Sequence, residues 1–439
     1  MALGGGIWAT QNKVLPGTYI NVSSIAKASV TLSDRGIVAM PLLLDWGPDN
    51  EVFAVTNSDF QKNSLKVFGY AYTDDAMLPL RELFKYTQTL YAYRLNSGGT
   101  KAANTFCTAK YAGTVGNKLS TVITASTDDT DLFDVSTYLG TTLVDIQTVA
   151  NGAGLTDNDF VNWKDGITLE VTAKIPLSGG ANGTAENAAY QTALDKFESY
   201  SFNILGCPSK DATTVKLFVN YAKRMRDEVG ANFQTVIYNA YGNASLGDHE
   251  GVIEVGNKPT TGDEFGLVYW VAGAEAACAV NKSNTNKRYD GELTVDVDYT
   301  QADLAAAIKG GRFMFHNVNG EIRVLEDINS LVTVSDTKGD VFKSNQTIRV
   351  CDQAANDITV LFNTQYLGII PNDADGRIML WNDICKIFQA LESIRAIENF
   401  DPETVKVEPG ETKKAVLCTV EGLNIVNAMA QLYMGIYIN

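Results

Sequence analysis

An apolar run, IVAMPLLLDWG, occupies residues 37–47 and contains a single charged residue, Asp45. Strands of a parallel sheet are covered on both faces, so they read as continuous apolar runs and not as an alternation with polar residues. The run therefore predicts a buried strand of a parallel sheet. Outward along the chain, the sequence predicts a helix near 75–88 and a second strand, YAYRL, at 91–95.

Helix and strand patterns alternate again in a later stretch, residues 185–335. TVKLFVNYAKRMRDEVG at 214–230 has the apolar spacing of an amphipathic helix. WVAGAEAACAV at 270–280 reads as a helix of small residues that can pack closely. With residues 33–96, this stretch predicts an α/β core, a mixed sheet with flanking helices.

Three local signals mark element ends within this second part of the core. Thr300 is a candidate N-cap, and Gly310 is a candidate helix stop. Asn319 and Gly320 form the dipeptide that most strongly predicts a two-residue hairpin turn.

Residues 97–184 separate the two parts of the core and differ from both in pattern. Short runs rich in Thr and Val, such as STVITAS at 120–126, alternate with turns of Gly, Asn and Asp. This pattern predicts an inserted antiparallel β-domain.

The last third of the sequence predicts an α+β C-terminal domain over residues 336–415. Two long helical patterns are separated by YLGIIPNDADG at 366–376, in which NDADG is interpreted as a helix-start turn. FDPETVKVEPGETKK at 400–414 is interpreted as a polar spacer, and residues 416–439 as the C-terminal strands and arm.

Each end of the chain carries a short strand pattern. PGTYINV at 16–22 lies in a polar stretch, residues 1–32, and LYMGIYI at 432–438 alternates its side chains. A lone strand leaves backbone groups unpaired and therefore needs a sheet edge. Two interpretations are open: each strand pairs with its own domain, or neighbouring subunits exchange strands, which builds rings or helices. In the second case the linkers 23–33 and 408–414 would act as hinges.

The charge balance narrows the possible partners. The chain of 439 residues has 35 basic and 51 acidic residues, a formal charge of −16. Nucleic-acid backbones and anionic membranes both attract basic surfaces, so we expect no nucleic-acid partner and no membrane insertion. Six scattered cysteines without a CxxC pair, and a start without a secretory signal pattern, predict a protein folded in a reducing cytoplasm.

The sequence contains few residues or motifs that are typical of enzymes. Its two histidines, His249 and His316, lack an HExxH context, and there is no phosphate loop, GxGxxG or GxSxG motif. We therefore predict no catalytic, cofactor-binding or metal-binding residues, and treat both histidines as structural. A hydrolase with an unrecognised triad is a minor alternative, because triads assemble in space. The basic group Lys223, Arg224 and Arg226 is interpreted as a solvated helix face, with an inter-subunit salt bridge as the alternative.

Several motifs, taken in order, resemble those of contractile tail sheath proteins, in the branch found in Gram-positive myophages, defective prophages and R-type bacteriocins. They extend over nearly the whole chain. The most specific is GEIRVLEDINSLVT at 320–333. The others are PGTYINV at 16–22, AKYAGTVGNKLSTVI at 109–123, VAGAEAACAVNKSNTNKRYDG at 271–291, YLGIIPNDADGR at 366–377, NFDPETVKV at 399–407 and NAMAQLYMGIYIN at 427–439.

The resemblance implies a structural subunit that polymerises as stacked hexameric rings around a tail tube and contracts to drive the tube through a target envelope. Its core is sometimes called subtilisin-like, a fold label that implies no protease. The implied partners are further copies of the chain, the tail tube protein, and baseplate and tail-terminator proteins. The implied location is a virion or bacteriocin tail, assembled in the bacterial cytoplasm and released by lysis.

The resemblance also favours strand exchange and so assigns the inter-subunit arm strands. These are Gly17, Thr18, Tyr19, Ile20, Asn21 and Val22 at one end, and Leu432, Tyr433, Met434, Gly435, Ile436, Tyr437 and Ile438 at the other. We further predict that part of residues 370–400 faces the tube, with Arg377, Asn382, Asp383 and Lys386 as candidates. Another self-assembling particle protein, such as a tail tube, capsid or surface-layer protein, is the alternative function.

Overall fold

Two blocks of sequence that lie far apart along the chain build one central sheet. The computed structural model describes residues 32–438, so the predicted arm strand at 16–22 lies outside the described residues. The first block contributes β1 (Ile37–Leu42), β2 (Val52–Thr56), α1 (Asn57–Phe68), α2 (Leu78–Phe84) and β3 (Thr89–Arg94).

The second block follows an inserted β-domain. The inserted domain holds β4 (Cys107–Ala109), β5 (Leu119–Ala125), β6 (Phe133–Leu139), β7 (Thr142–Val149), β8 (Val161–Trp163) and β9 (Thr172–Pro176). The second block holds α3 (Asn187–Phe197), β10 (Ile204–Gly206), α4 (Ala212–Arg224), β11 (Gln234–Tyr238), β12 (Val252–Val255), α5 (Leu267–Ala277), α6 (Gln301–Lys309), β13 (Arg312–Phe313), β14 (Phe315–Val318) and β15 (Glu321–Val324).

The C-terminal region combines two long helices with short strands. Its elements are α7 (Asn345–Leu361), α8 (Ala374–Ser393), β16 (Ile397–Glu398), β17 (Val405–Pro409), β18 (Val416–Val420) and β19 (Asn424–Ile425). A turn of π-helix, Phe362–Tyr366, extends α7 toward the loop before α8. No helix within residues 32–438 is long and apolar enough to cross a membrane.

The central sheet has seven strands in the order β13-β12-β11-β10-β1-β3-β2. Strand β1 lies inside it and pairs in parallel with both β10 and β3, as its continuous apolar sequence predicts. The β2–β3 pair is antiparallel, which makes the sheet mixed. Val38 and Met40 face a core layer that includes α2 and α5, while Ala39 faces a layer that includes α3 and α4. The predicted α/β core with flanking helices is confirmed.

Helix α5 packs closely against α2 because its residues are small. A side-chain carbon placed on Gly273 would meet the carbonyl oxygen of Leu83 at 2.3 Å, so this position requires glycine. The local end signals are confirmed as well. Thr300 and Asp303 form a capping box at the start of α6, and Gly310 ends that helix. Asn319 and Gly320, with φ of 53° and 87°, form the turn between β14 and β15.

The inserted domain is antiparallel, as predicted, with one sheet ordered β7-β6-β5-β9 and a second pair, β4-β8. The chain enters and leaves this domain side by side. Thr100 and Ala181 exchange backbone hydrogen bonds of 2.9 and 3.1 Å at this crossing.

The prediction of a polar spacer at 400–414 was wrong. Strand β17 lies within it and pairs with β18 over five residue pairs, from Val405–Val420 to Pro409–Val416. Glu408 belongs to β17, so residues 408–414 form the end of that strand and the turn toward β18, and they do not form the predicted hinge. The sequence signal was weak because only Val405 and Val407 break a polar stretch. The domain boundaries proposed from the sequence stay predictions.

Candidate assembly site: the C-terminal region and its tail

The last described residues form an apolar tail that the rest of the described chain does not cover. The side chains of Met429, Leu432, Tyr433, Met434, Ile436, Tyr437 and Ile438 are all more than 70% exposed. Residues 426–438 belong to no strand within the described part of the chain. Each exposed apolar side chain forgoes about 25 cal/mol for every Å² that burial would remove from water.

The tail is anchored where it leaves the body. The side chain of Gln346, in the first turn of α7, donates to the carbonyl of Val426 at 3.0 Å and accepts from the backbone N–H of Ala428 at 2.9 Å. The amide of Gln346 thus pairs with the departing chain as a neighbouring strand would. Asn427 adds a contact with Thr347. The tail therefore starts after Ala428.

An open strand edge lies on the same region. The hairpin of β17 and β18 forms a two-stranded sheet of its own among the described strands. Its β17 side rests on α8, where the indole N–H of Trp381 donates to the carbonyl of Val405 at 2.9 Å. On β18, Leu417, Cys418 and Thr419 are exposed. A two-stranded ribbon with an open side can receive a further strand.

A partly apolar cleft adjoins the start of β18. Its lining includes Phe362 and Tyr366 from the π turn, Leu380 from α8, and Val416. Nearby apolar side chains of the same region are exposed, namely Leu367, Ile369, Ile378 and Met379. The hydroxyl of Tyr366 donates to Asp383 at 2.6 Å, and burial followed by this carboxylate raises the pKa of Tyr366.

The four candidate tube-facing residues all lie on α8, with different surroundings. Asn382 and Lys386 are exposed, whereas Arg377 and Asp383 are half-buried. Arg377 donates to the side chain of Asn372 at 2.9 Å. Lys386 forms an ion pair of 2.6 Å with Asp383. Whether this face meets a tail tube stays a prediction.

A buried charge cluster, which the sequence did not indicate, joins the core to the C-terminal region. Arg349 of α7 contacts the carboxylates of Glu275 at 2.6 Å and Asp327 at 3.3 Å. All three side chains are almost fully buried. Burial, followed by the charge of Asp327, raises the pKa of Glu275 to about 8. Burial also opposes the charge on Asp327, but Arg349 and several hydrogen bonds outweigh it and lower the pKa of Asp327.

A second ion pair reinforces this joint and corrects the interpretation of the basic group on α4. Arg226 is not on a solvated face. Its guanidinium forms two hydrogen bonds, of 2.7 and 2.8 Å, with the carboxylate of Asp352 on α7. Both side chains are buried, so the pair lies within the subunit. Arg224 pairs with Glu198 on the surface.

The structure gives His249 a role inside an ion-pair cluster. Its Nε2 lies 3.0 Å from Asp227, and its Nδ1 accepts the backbone N–H of Gly251. Ligand atoms of Asp227, His249 and Glu250 lie within 4.8 Å of one another, a spacing that could suit a metal ion. Lys338 already supplies a cation there, 2.6 Å from Glu250. Because Nδ1 is an acceptor, a metal on Nε2 would also require an imidazolate. The cluster is therefore better suited to its internal lysine.

Comparison with known proteins defines the class first. Four family models match consecutive stretches of the chain. They are the tail sheath protein Gp18 domain III N-terminal region at 35–95, the phage tail sheath β-sandwich domain at 97–182, the phage tail sheath central domain at 183–330 and the phage tail sheath C-terminal domain at 337–439. These models place the chain among the structural proteins of phage tails.

Relatives agree over almost the full length. The sheath tail protein of Desulfitobacterium hafniense is 36% identical, covers 89% of this chain and 93% of its own, and superposes with a TM-score of 0.76. The sheath tail protein Lin1278 of Listeria innocua is 28% identical over 91% of this chain and 94% of its own, with a TM-score of 0.78. The phage-like element PBSX protein XkdK of Bacillus subtilis is 29% identical over all of both chains. The chain belongs to the phage tail sheath family.

Proposed function

We propose that this sheath subunit polymerises as stacked six-fold rings around a tail tube, and that neighbouring subunits are joined by exchanged N- and C-terminal strands. The exposed tail after Ala428 carries the proposal. In this tail, apolar side chains alternate along a stretch of backbone that has no strand partner in the described chain. A second copy with an open sheet edge would satisfy both needs.

The edge of β18 is the proposed receiver of a neighbouring strand. It lies beside the apolar cleft, and β17 and α8 hold it firmly from the other side. A strand of about five residues would form several backbone hydrogen bonds, worth about 0.5–1.5 kcal/mol each. A head-to-tail exchange of this kind does not close as a dimer and so propagates.

Contraction follows in this proposal from keeping the strand contacts while the globular bodies move. The buried joint at Arg349 holds the core and the C-terminal region together, so the change in orientation falls on the chain beyond Ala428 and before Leu32. The wider, shorter assembly drives the tube through the target envelope. The further partners are the tail tube, with Arg377, Asn382, Asp383 and Lys386 as candidate contacts, and baseplate and terminator proteins. The particle, a phage or bacteriocin tail, assembles in the bacterial cytoplasm and is released by lysis.

Truncation tests the exchange. A chain that stops after Ala428, or one that lacks residues 1–22, is expected to fold normally but to form no sheaths in electron micrographs. Full-length protein should form helical sheaths under the same conditions. Normal sheaths from either truncated chain, or smooth tubes and flat lattices from the full chain, would contradict the proposal.

Thiol cross-linking tests which edge receives the tail. Cys418 is exposed on β18, and the variant Tyr437→Cys places a second thiol on the tail. Oxidation of assembled protein should give ladders of covalent multimers, whereas the matched Cys418→Ala, Tyr437→Cys variant should not. A cross-link that forms only within single chains would instead show that the tail folds back on its own body.

A further inference from the structure

Helix α7 holds the roots of both chain ends. The tail root is the contact of Gln346 with Val426 and Ala428. The N-terminal root lies farther along the same helix. The carboxylate of Asp357 accepts from the hydroxyl and the backbone N–H of Ser33, at 2.5 and 3.2 Å. The side chain of Gln353 donates to the hydroxyl of Ser33 at 2.8 Å and also to Asp357.

These anchors follow one stripe of the helix. Gln346, Arg349, Gln353 and Asp357 are spaced by three or four residues, which places them on one face. At 1.5 Å per residue, the two roots are separated by roughly 10–16 Å along the axis. Gln346 and Gln353 are only 2% and 3% exposed. Polar side chains buried to this degree are kept in place by their hydrogen bonds.

The core is attached to the same helix between the two roots. Arg349 binds Glu275 of α5 and the carboxylate of Asp327. Asp352 binds Arg226, which lies in the π-helical turn Met225–Val229 that follows α4. The described path from one chain end to the other therefore runs through a single helix, with the central sheet attached at its side.

We infer that α7 is a tie that fixes the two arm roots to each other, with Gln346, Gln353 and Asp357 as the positioning residues. Tension that a neighbour applies to the tail then passes along α7 to the N-terminal segment without crossing the central sheet. The transmission of tension rests on the proposed function, whereas the fixed separation of the two roots is a property of the single subunit.

The separation can be measured in isolated subunits. Spin labels would be placed at the exposed positions Asp34→Cys and Ala428→Cys, next to the two roots, in a chain with Cys351 and Cys418 replaced by alanine. Double electron–electron resonance is expected to give one narrow distance distribution. Gln346→Ala and Gln353→Ala should each widen it at least twofold. Thr359→Ala, an exposed position on the same helix, is the matched control and should leave the width unchanged.

The width of the distance distribution distinguishes a specific role in fixing the two roots from a general contribution to stability. A drop in melting temperature alone would accompany any buried substitution, so the width must be compared under conditions where every variant is folded by circular dichroism. A reference distribution as wide as that of the Gln346→Ala, Gln353→Ala double variant would overturn the inference. Narrow distributions in a full-length chain that never polymerises would keep the tie and remove the proposed function.

Discussion

In most proteins charged side chains are exposed and large apolar side chains are buried. The joint around Arg349 and the tail after Ala428 each depart from one half of this rule. At the joint, three ionisable groups are removed from water and satisfy one another inside the chain. In the tail, seven large apolar side chains remain in water. A contact between buried charged groups is specific and costly to break. An exposed apolar surface, in contrast, marks a place where a partner can bind. The first arrangement suits a permanent junction, and the second suits an assembly contact.

Breaking the joint should have the largest effect. Arg349→Met removes the only guanidinium that contacts both Glu275 and Asp327 in the described chain and leaves the buried carboxylate of Asp327 without its cation. We expect a loss of about 3–5 kcal/mol in the free energy of unfolding. Urea denaturation would measure it. Arg288→Met is the control, because Arg288 is largely exposed and should change stability by less than about 0.5 kcal/mol. Equal stability of the two variants would disprove this role of the joint.

The pH dependence of stability should show a second effect of the same joint, smaller for each pH unit than the loss expected in Arg349→Met. The pKa of Glu275 is raised from 4.5 to about 8 in the folded chain. Between those values the folded state keeps a proton that the unfolded chain releases, so stability falls as pH rises, by up to about 1.4 kcal/mol per unit.

Glu275→Gln removes this titration and should flatten the decline in urea midpoint between pH 5 and 8. Glu411→Gln, at an exposed turn position, serves as the control and should keep the original slope. An unchanged slope in Glu275→Gln would show that the carboxyl does not hold the extra proton.

Changing the tail should have the smallest effect on the isolated subunit. Replacing Leu432, Met434 and Ile436 together by serine removes only exposed apolar surface, so the free energy of unfolding should change by less than about 0.5 kcal/mol. Binding of a hydrophobic dye should fall at the same time. A marked loss of stability in denaturation experiments would mean that these side chains pack within their own subunit.

Several elements of the α/β core could be predicted from the sequence because their signals are local. The apolar run of β1, the cap at Thr300 and the turn at Asn319 and Gly320 each act within a few residues, and all three are confirmed. Their physical causes do not depend on distant parts of the chain.

The joint could not be predicted, because its partners meet only after folding. Glu275 lies inside a helix of alanine and glycine, 74 residues before Arg349, and no pattern in the sequence connects them. Arg226 looked like part of a basic surface for the same reason, since its partner Asp352 is 126 residues away. Strand β17 was missed because two valines give too little alternation.

The tail could be predicted from the sequence only in part. Its alternating pattern was visible, and the exposure of residues 432–438 agrees with a strand that pairs outside its own body. Its actual anchor on Gln346 was not visible, because a glutamine in a helix carries no sign of what it binds. The strand partners stay a prediction.

The side-by-side crossing at Thr100 and Ala181 has a practical consequence. The two connections of the inserted domain leave the core at one point, and the domain also packs on the core through an apolar cluster that includes Trp46, Leu65 and Tyr70. A short loop between residues 99 and 182 would uncover these apolar side chains, whereas a foreign domain with adjacent termini, grafted into the exposed β5–β6 loop at residues 127–131, would leave them covered. The subunit thereby offers a place to display cargo on every copy in a tail.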